Sequence, residues 1–280
     1  MSDELPALAI TGATGHIGGG VARQLANAGV PLRLLSRSEP PALKDAVGFR
    51  VDYSDRATAV AALTGVDTLL LVSAAESETR VDDHRTMIDA AAEAGVSHVV
   101  YTSFLGAAED AVFTLGRDHH ATEKHIERSG LGWTFLRDNL YADFLPHLAG
   151  PDGVIRGPAG DGRVSAVARD DVVRVAATVL RKPAEHRDVA YDLTGPKAIS
   201  LEDAAEILTF AGKPTRFENE TLEEAFASRA SFGAPDWQVE AWVSTYTAIA
   251  SGELAVISDD VERITGKRGL SLGELLAQEA

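Results

Sequence analysis

The sequence predicts an α/β fold: a doubly wound parallel sheet with helices on both faces, followed by a smaller, mostly helical C-terminal part. Three observations predict it. Leu8-Ala9-Ile10 leads straight into glycines at Gly12, Gly15 and Gly18 and then into a helical pattern from Val21 to Ala26, which reads as strand, tight turn and helix start. Strand-like and helical stretches then alternate as far as Thr194, the order of repeated β-α-β units. Thr68-Leu69-Leu70-Leu71-Val72-Ser73 is apolar without alternation, as a parallel strand covered on both faces must be.

The glycines of the first turn each have a mechanical reason. Gly12 permits the bend, Gly15 lets backbone approach a pyrophosphate, and Gly18 lets the helix pack on the strand. The helix start then offers unpaired N–H groups and the positive end of its dipole. Gly12, Thr14, Gly15, His16, Ile17 and Gly18 are therefore expected to hold the diphosphate of a dinucleotide in a Rossmann arrangement, with a purely steric glycine turn as the alternative.

The next strand, Val30 to Arg37, ends where such a fold meets the adenosine ribose. An acidic residue there binds a 2′-hydroxyl and repels a 2′-phosphate. This chain supplies Ser36, Arg37 and Ser38, with Arg33 nearby, which favours NADPH while leaving NADH possible. Phe49 to Asp52 reads as a third strand, with Asp52 and Tyr53 expected to border the adenine, and a helix ends at Leu63. The tip Ser73-Ala74-Ala75 of the strand from Thr68 is expected over the dinucleotide. Asp82 to Ala94 is helical, with Met87, Ile88, Ala91 and Ala92 inward and Gly95 as its stop. His98 to Ser103 is the fifth strand, and Phe104-Leu105-Gly106 follows at the ligand-binding edge.

A helix over Arg117 to Glu127 carries His119, His120 and His125, but no two histidines are one turn apart at i,i+4, so no metal is expected. Lys124 and Glu127 read as a solvated face. Gly132 to Arg137 is the sixth strand, and its tip places Asn139, Leu140 and Tyr141 to meet a nicotinamide or substrate, Tyr141 being equally readable as packed core. Gly150 to Gly162 reads as a loop or hairpin, Asp170 to Leu180 as a helix and Val189 to Thr194 as a seventh strand. Beyond Gly195, helices are expected at Leu201 to Ala211, Leu222 to Ala230, Asp236 to Ser251 and Leu272 to Glu279, with Thr215 to Phe217 strand-like. Phe226, Phe232, Trp237, Trp242 and Tyr246 gather aromatic area there, expected to close an apolar pocket over the nicotinamide, although each ring alone is as readily core. These patterns divide the chain into a dinucleotide domain at 1–138, with returns at about 164–195, and a substrate domain at 139–163 and 196–280.

Composition bounds the function. The chain has 280 residues, 45% of them hydrophobic, enough for a substantial core. It has no cysteine, which removes disulfides, thiolate nucleophiles and iron–sulfur clusters and fits a cytoplasmic location. The start Met1-Ser2-Asp3-Glu4 is acidic, and no apolar run approaches the roughly 18 residues of a membrane span, so no membrane partner is expected. A formal charge of −16 disfavours nucleic acid as a partner.

Thr11-Gly12-Ala13-Thr14-Gly15-His16-Ile17-Gly18, Val99 to Leu105, His119 with Thr122-Glu123-Lys124, and Leu136-Arg137-Asp138-Asn139-Leu140-Tyr141 together resemble the NmrA-like atypical short-chain dehydrogenases, most of all the type-2 NAD(P)H:quinone oxidoreductases and triphenylmethane reductases. The resemblance extends over essentially the whole chain, to Gly160-Asp161-Gly162 and Ile264-Thr265-Gly266-Lys267. It implies NADPH as cofactor and a substrate cleft built by the small domain, for which Phe104, Leu105, Tyr141, Phe232 and Trp237 are the candidates. Short-chain dehydrogenases generally use a Tyr and a Lys four residues later, and the corresponding places here fall at Leu115 and His119. The resemblance thus implies a site without that Tyr, suited to a quinone whose reduced form takes its proton from water. His119 is then expected to hold the ribose or donate a proton, as an imidazole titrating near neutrality, with Tyr141 and Asn139 as the other catalytic candidates and Ser103 beside the cofactor. The activity implied is hydride transfer from NADPH to a quinone or similar planar acceptor, by a monomer or homodimer. The alternatives are a tailoring enzyme of a polycyclic aromatic metabolite, with O₂ involved, and a non-catalytic redox sensor.

Overall fold

The structure is a computed structural model that describes residues 5–279, so the acidic start Met1 to Glu4 lies outside the described residues. A seven-stranded sheet forms its centre. After β1 (Leu8–Ile10) comes α1 (His16–Asn27), which buries Ile17, Val21, Ala22 and Leu25 on one stripe. The chain continues through β2 (Leu32–Ser36), β3 (Ala46–Arg50), α2 (Arg56–Leu63), β4 (Thr68–Leu71), α3 (Arg80–Glu93), β5 (His98–Phe104), α4 (Thr114–Arg128) and β6 (Gly132–Asp138). Asp55 caps α2 by accepting the Thr58 N–H at 3.1 Å. On α3 the inward stripe is His84, Met87, Ile88 and Ala91, joined by Ala90. Ala92, expected inside, is exposed because it falls beyond the edge of that stripe.

Then come β7 (Val154–Gly157), β8 (Arg163–Val164), α5 (Arg169–Arg181), β9 (Val189–Leu193) and β10 (Ile199–Ser200). The C-terminal part holds α6 (Leu201–Phe210), β11 (Arg216–Asn219), α7 (Leu222–Ala230), α8 (Asp236–Ser251), α9 (Asp260–Thr265) and α10 (Leu272–Glu279). Capping boxes start α6, through Ser200 and Asp203, and α7, through Thr221 and Glu224.

The sheet order is β3-β2-β1-β4-β5-β6-β9, with parallel pairing that sets Ala9 opposite Arg33 and Leu69. Connections after β1 run outward in one direction and those from β4 onward in the other, so the order reverses between β1 and β4. A doubly wound sheet opens its ligand crevice at the carboxyl ends of such strands. The doubly wound α/β fold read from the sequence is the fold observed.

Two differences in detail have physical reasons. Gly150 to Gly162, read as loop or hairpin, contains β7, which pairs in parallel with the distant β11. Pairing across that separation in sequence depends on tertiary placement and leaves no local signal. The short helix α9 was equally hidden, since its six residues bury only Val261.

The chain divides into two compact units, Met1–Ser103 with Asp118–Arg137 and Val172–Tyr191, and Phe104–Arg117 with Asp138–Asp171 and Asp192–Ala280. The first unit's core includes Leu35, Leu63, Leu71, Met87, Tyr101 and Phe135. The second unit's core is centred on Ile155, Val164, Leu201, Ala241, Tyr246 and Ile249. In that second core Gly157 lies against the Tyr246 ring so closely that a Cβ would stand 2.1 Å from Cδ1. The Arg229 guanidinium, 4.9 Å from the same ring's centre, restricts its escape. Gly157→Ala is therefore expected to destabilise the protein by about 1–3 kcal/mol through overpacking, read as a lowered urea midpoint with unchanged slope.

Candidate dinucleotide site and the groups around it

The first turn has the geometry of a phosphate cradle. Gly12 adopts φ +60°, a left-handed conformation that a side chain disfavours, and its carbonyl accepts the Gly15 N–H at 2.8 Å. At Gly18 a Cβ would stand 2.4 Å from the Gly12 oxygen and 2.5 Å from that of Thr11, so only glycine lets α1 start this close to β1. No side chain caps α1 and no acidic residue occupies its first turn. Its positive end is thus left to an anion, with Thr14, Gly15 and His16 exposed at the tip and Ile17 turned into the core. These features fit the diphosphate of a dinucleotide.

Behind the turn, the Thr11 hydroxyl donates to the Leu70 carbonyl at 3.2 Å and accepts the Val72 N–H at 2.9 Å. The Tyr53 hydroxyl closes onto the same point, 2.5 Å from Thr11 Oγ1 and 2.6 Å from the Val72 oxygen. Tyr53, expected to border an adenine, thus turns its hydroxyl inward and ties the ends of β1 and β4 together. Its burial pushes the phenol pKa up.

At the ribose end, Arg37 is exposed and Asp52 stands near it. Asp52 Oδ1 accepts the Ser54 N–H and hydroxyl at 3.0 and 2.8 Å, and these bonds, helped by the charge of Arg37, hold its pKa below the usual carboxylate range. Arg33 plays no part at this end. It is buried, and its Nη1 donates to the carbonyls of Ala62 and Thr64 at 2.8 and 2.7 Å.

The tip of β4 rests on a buried polar network within the first unit. Ser73 N–H donates to Thr102 Oγ1 at 2.8 Å, Ala74 N–H donates to His84 Nε2 at 2.9 Å, and Ala75 is exposed. Because Nε2 of His84 accepts, its Nδ1 carries the proton and donates to Thr122 Oγ1 at 2.9 Å. Arg80 Nη2 donates to Ser73 Oγ at 2.6 Å and to His119 Nε2 at 3.0 Å. His119 Nε2 is therefore also an acceptor, and its Nδ1–H donates to Tyr101 Oη at 3.0 Å. Burial, then the Arg80 charge, pushes His84 down to about 3 and His119 well below its ordinary value. The expectation of an imidazole titrating near neutrality at position 119 is thereby corrected: a fully enclosed ring beside a guanidinium stays neutral.

Ser103, expected beside the cofactor, has its hydroxyl engaged inside the protein. Its hydroxyl donates to Glu123 Oε1 at 2.6 Å, and Arg137 grips the same carboxylate through Nε at 2.9 Å and Nη2 at 2.7 Å. Lys124 and Glu127 form an exposed pair at 2.7 Å, as a solvated face would. No group of acidic, histidine or cysteine side chains that could hold a metal occurs among the described residues.

In the second unit the structure sorts the remaining candidates. Asn139 is buried, and its amide donates to Ser165 Oγ and the Leu254 carbonyl at 2.8 and 2.9 Å while Oδ1 accepts the Leu140 N–H at 2.7 Å. A side chain engaged at every polar atom locks the segment and presents nothing outward, which corrects its reading as a catalytic group. Leu140 packs against the core. Tyr141 is half-buried, and its hydroxyl donates to Asp138 Oδ2 at 2.8 Å. Phe104 and Leu105, expected as substrate wall, are buried, with Phe104 packed on Phe113 at 4.7 Å. Of the aromatic cluster, Tyr246 is core, Trp237 is half-buried, and Phe226 and Phe232 are 43% and 70% exposed.

Sequence reading missed Thr11, Arg80, His84 and Asp138. Arg80 and His84 did leave a signal: four residues apart, they lie on the same helix face as Met87 and Ile88, an odd place for a cation and an imidazole.

The fold and the glycine turn define a dinucleotide-binding oxidoreductase, and comparison with known proteins places it. The family model described as NAD(P)H-binding matches residues 12–183, and the chain belongs to that family, among the NmrA-like proteins. It is 32% identical over 279 residues to an NAD(P)H azoreductase of Xenophilus azovorans, covering 97% of each chain. It is 32% identical over 277 residues to quinone oxidoreductase 2 of Escherichia coli strain K12, covering 95% of this chain and 96% of that one. The crystal structure of the E. coli NADPH-dependent quinone oxidoreductase with NADPH matches at TM-score 0.86 and 31% identity, over 97% of this chain and 99% of that one. The Citrobacter sp. triphenylmethane reductase with NADP(H) matches at TM-score 0.84 and 30% identity, over 98% and 100%. The protein is an NAD(P)H-dependent oxidoreductase related to quinone reductases and azoreductases.

Two predictions follow from this geometry. If Arg37 pairs with a 2′-phosphate, Arg37→Glu weakens NADPH by about 1.5–3 kcal/mol, the range of a charged hydrogen bond, and spares NADH; calorimetry showing equal loss for both would remove that role. The ring resonances of His84 and His119 are expected to keep neutral-imidazole shifts as pH falls through 6.5, the ordinary value. Because their folded pKa values are depressed, the unfolded chain binds protons that the folded one does not. Stability is accordingly retained above about 6.5 and declines as pH falls below it.

Proposed function

We propose that the protein transfers a hydride from NADPH to a quinone or a similarly flat, conjugated acceptor. The observation that carries this reading is the kinship over nearly the whole chain with an azoreductase and a quinone oxidoreductase, joined to a turn built for a diphosphate. NADPH, when bound, supplies the hydride. The chain's own contribution is binding and orientation. The backbone from Gly12 to Gly18 holds the diphosphate and Arg37 selects the 2′-phosphate. The network of Arg80, His84 and His119 holds the β4 tip rigid beneath the cofactor. His119, neutral and bonded through both ring nitrogens, acts in that support and not as an acid.

A planar acceptor suits this chain because its reduced form is a delocalised anion that makes small demands on a proton donor. No helix among the described residues is long and apolar enough to cross a membrane, so a quinone of short side chain is the natural probe. Under anaerobic conditions a simple benzoquinone is expected to consume NADPH mole for mole, followed by loss of dihydronicotinamide absorbance. Tight NADPH binding without consumption, across quinones and azo dyes alike, would instead indicate a sensor. Oxygen uptake accompanying NADPH loss in air would favour a tailoring role.

A further inference from the structure

Arg50 ends β3, and nothing so far gives it a role. The register of the sheet sets its Cα opposite that of Ser36, the last residue of β2, and the Val51 N–H donates to the Ser36 carbonyl at 2.9 Å. The two strand ends therefore lie side by side, about 4.8 Å apart, and Arg37 follows Ser36 directly. Alternation along β3 decides which way Arg50 faces. Phe49 and Val51 pack into the core with Leu35 and Leu63, so Arg50 shares the opposite face with Gly48. On that face a Cβ at Gly48 would stand 3.2 Å from Pro40 Cγ, so the loop that begins at Arg37 lies over it. β1, β2 and β3 are neighbouring parallel strands, and right-handed connections put that loop and α1, whose start is the diphosphate cradle, on one side of the sheet. Arg50 is on the cradle's side, beside Arg37, with all of these residues in the first unit.

Both arginines are exposed, and among the described residues neither makes a hydrogen bond or an ion pair. Elsewhere in this acidic chain exposed arginines find acids: Arg56 holds Glu93, Arg163 holds Asp203 and Arg216 holds Glu218, each at 2.9 Å. Asp52, close enough to feel the charge of Arg37, is engaged by Ser54 and pairs with neither arginine. Glu39, on the loop between the strands, pairs with neither as well. Two such guanidiniums at adjoining strand ends suit an anion with several oxygens, because each planar fork can donate two N–H groups to a phosphate. We propose that Arg50 is a specificity-determining residue that grips the 2′-phosphate of NADPH together with Arg37, one guanidinium from each strand. This rests on the assignment of the β2 tip to the 2′-phosphate and is independent of the acceptor. A phosphate monoester carries about two negative charges at neutral pH, so Arg37 alone leaves it half neutralised and Arg50 completes the match. NADH, with a hydroxyl at that position, gains nothing from the second cation.

Binding calorimetry with NADPH and NADH tests this without turnover. Arg50→Gln is expected to weaken NADPH roughly ten- to a hundredfold, the range of one charged hydrogen bond, and to leave NADH affinity unchanged. Arg50→Lys, which keeps the charge and loses the fork, is expected to fall between the wild type and Arg50→Gln. Added salt should weaken NADPH binding more steeply in the wild type than in Arg50→Gln. Because Arg50 is exposed and unbonded, its variants are expected to keep the wild-type urea midpoint, which separates lost binding from lost folding. An Arg50→Gln protein that binds NADPH as the wild type does, or that loses NADPH and NADH equally, overturns the proposal. If Arg37→Gln abolishes the preference for NADPH while Arg50→Gln keeps it, the phosphate belongs to Arg37 alone and the proposal falls; if neither alters it, the reading of the β2 tip falls as well.

Discussion

Two carbonyl oxygens, those of Thr11 and Gly12, occupy the space where a side chain at position 18 would stand. The rest of the first unit is arranged around that contact. Removing one methyl group's worth of volume lets a helix begin directly over the end of β1, and the uncapped N–H groups at its start then face the crevice where the strand order reverses. A larger residue would move α1 outward and lengthen every distance to a bound diphosphate. The left-handed Gly12 and the inward Tyr53 hydroxyl serve the same end, holding the bend against β4.

Around this backbone feature the protein places two buried polar networks. Arg80, His84, His119, Tyr101, Thr122 and Ser73 form one connected set of hydrogen bonds, and Ser103, Glu123 and Arg137 form another. Low dielectric makes such networks rigid when satisfied and unforgiving when broken. They lie at the tips of β4 and β5 and fix those strand ends in place. Burial, helped by the charge of Arg80, keeps both imidazoles neutral and so fixes which ring nitrogens donate.

In the second unit, four consecutive residues differ in how fully their polar atoms are met. Asn139 is bonded at every polar atom and Leu140 is packed, whereas Asp138 and Tyr141 share one hydrogen bond that leaves an oxygen of the acid unpartnered.

The α/β class, the alternation of elements, the glycine turn and the boundaries of most helices were legible in the sequence because each is a local matter. Hydrophobic period, capping residues and the steric demands of a bend act within a few residues of one another. The family was legible for the same reason, since its motifs are short and contiguous. Side-chain partnership was not. Ser103 and Asn139 at strand tips looked like groups facing a ligand, and the structure turned the one to Glu123 and the other to Ser165 and Leu254, partners brought close only by folding. His119 looked like a titrating acid until its neighbours showed it enclosed beside Arg80, and Asp138 drew no notice until folding buried it. Sequence sets which residues are present and which local shapes they adopt. Protonation state and hydrogen-bond direction belong to the tertiary structure, because they depend on the dielectric and the charges that distant segments bring together.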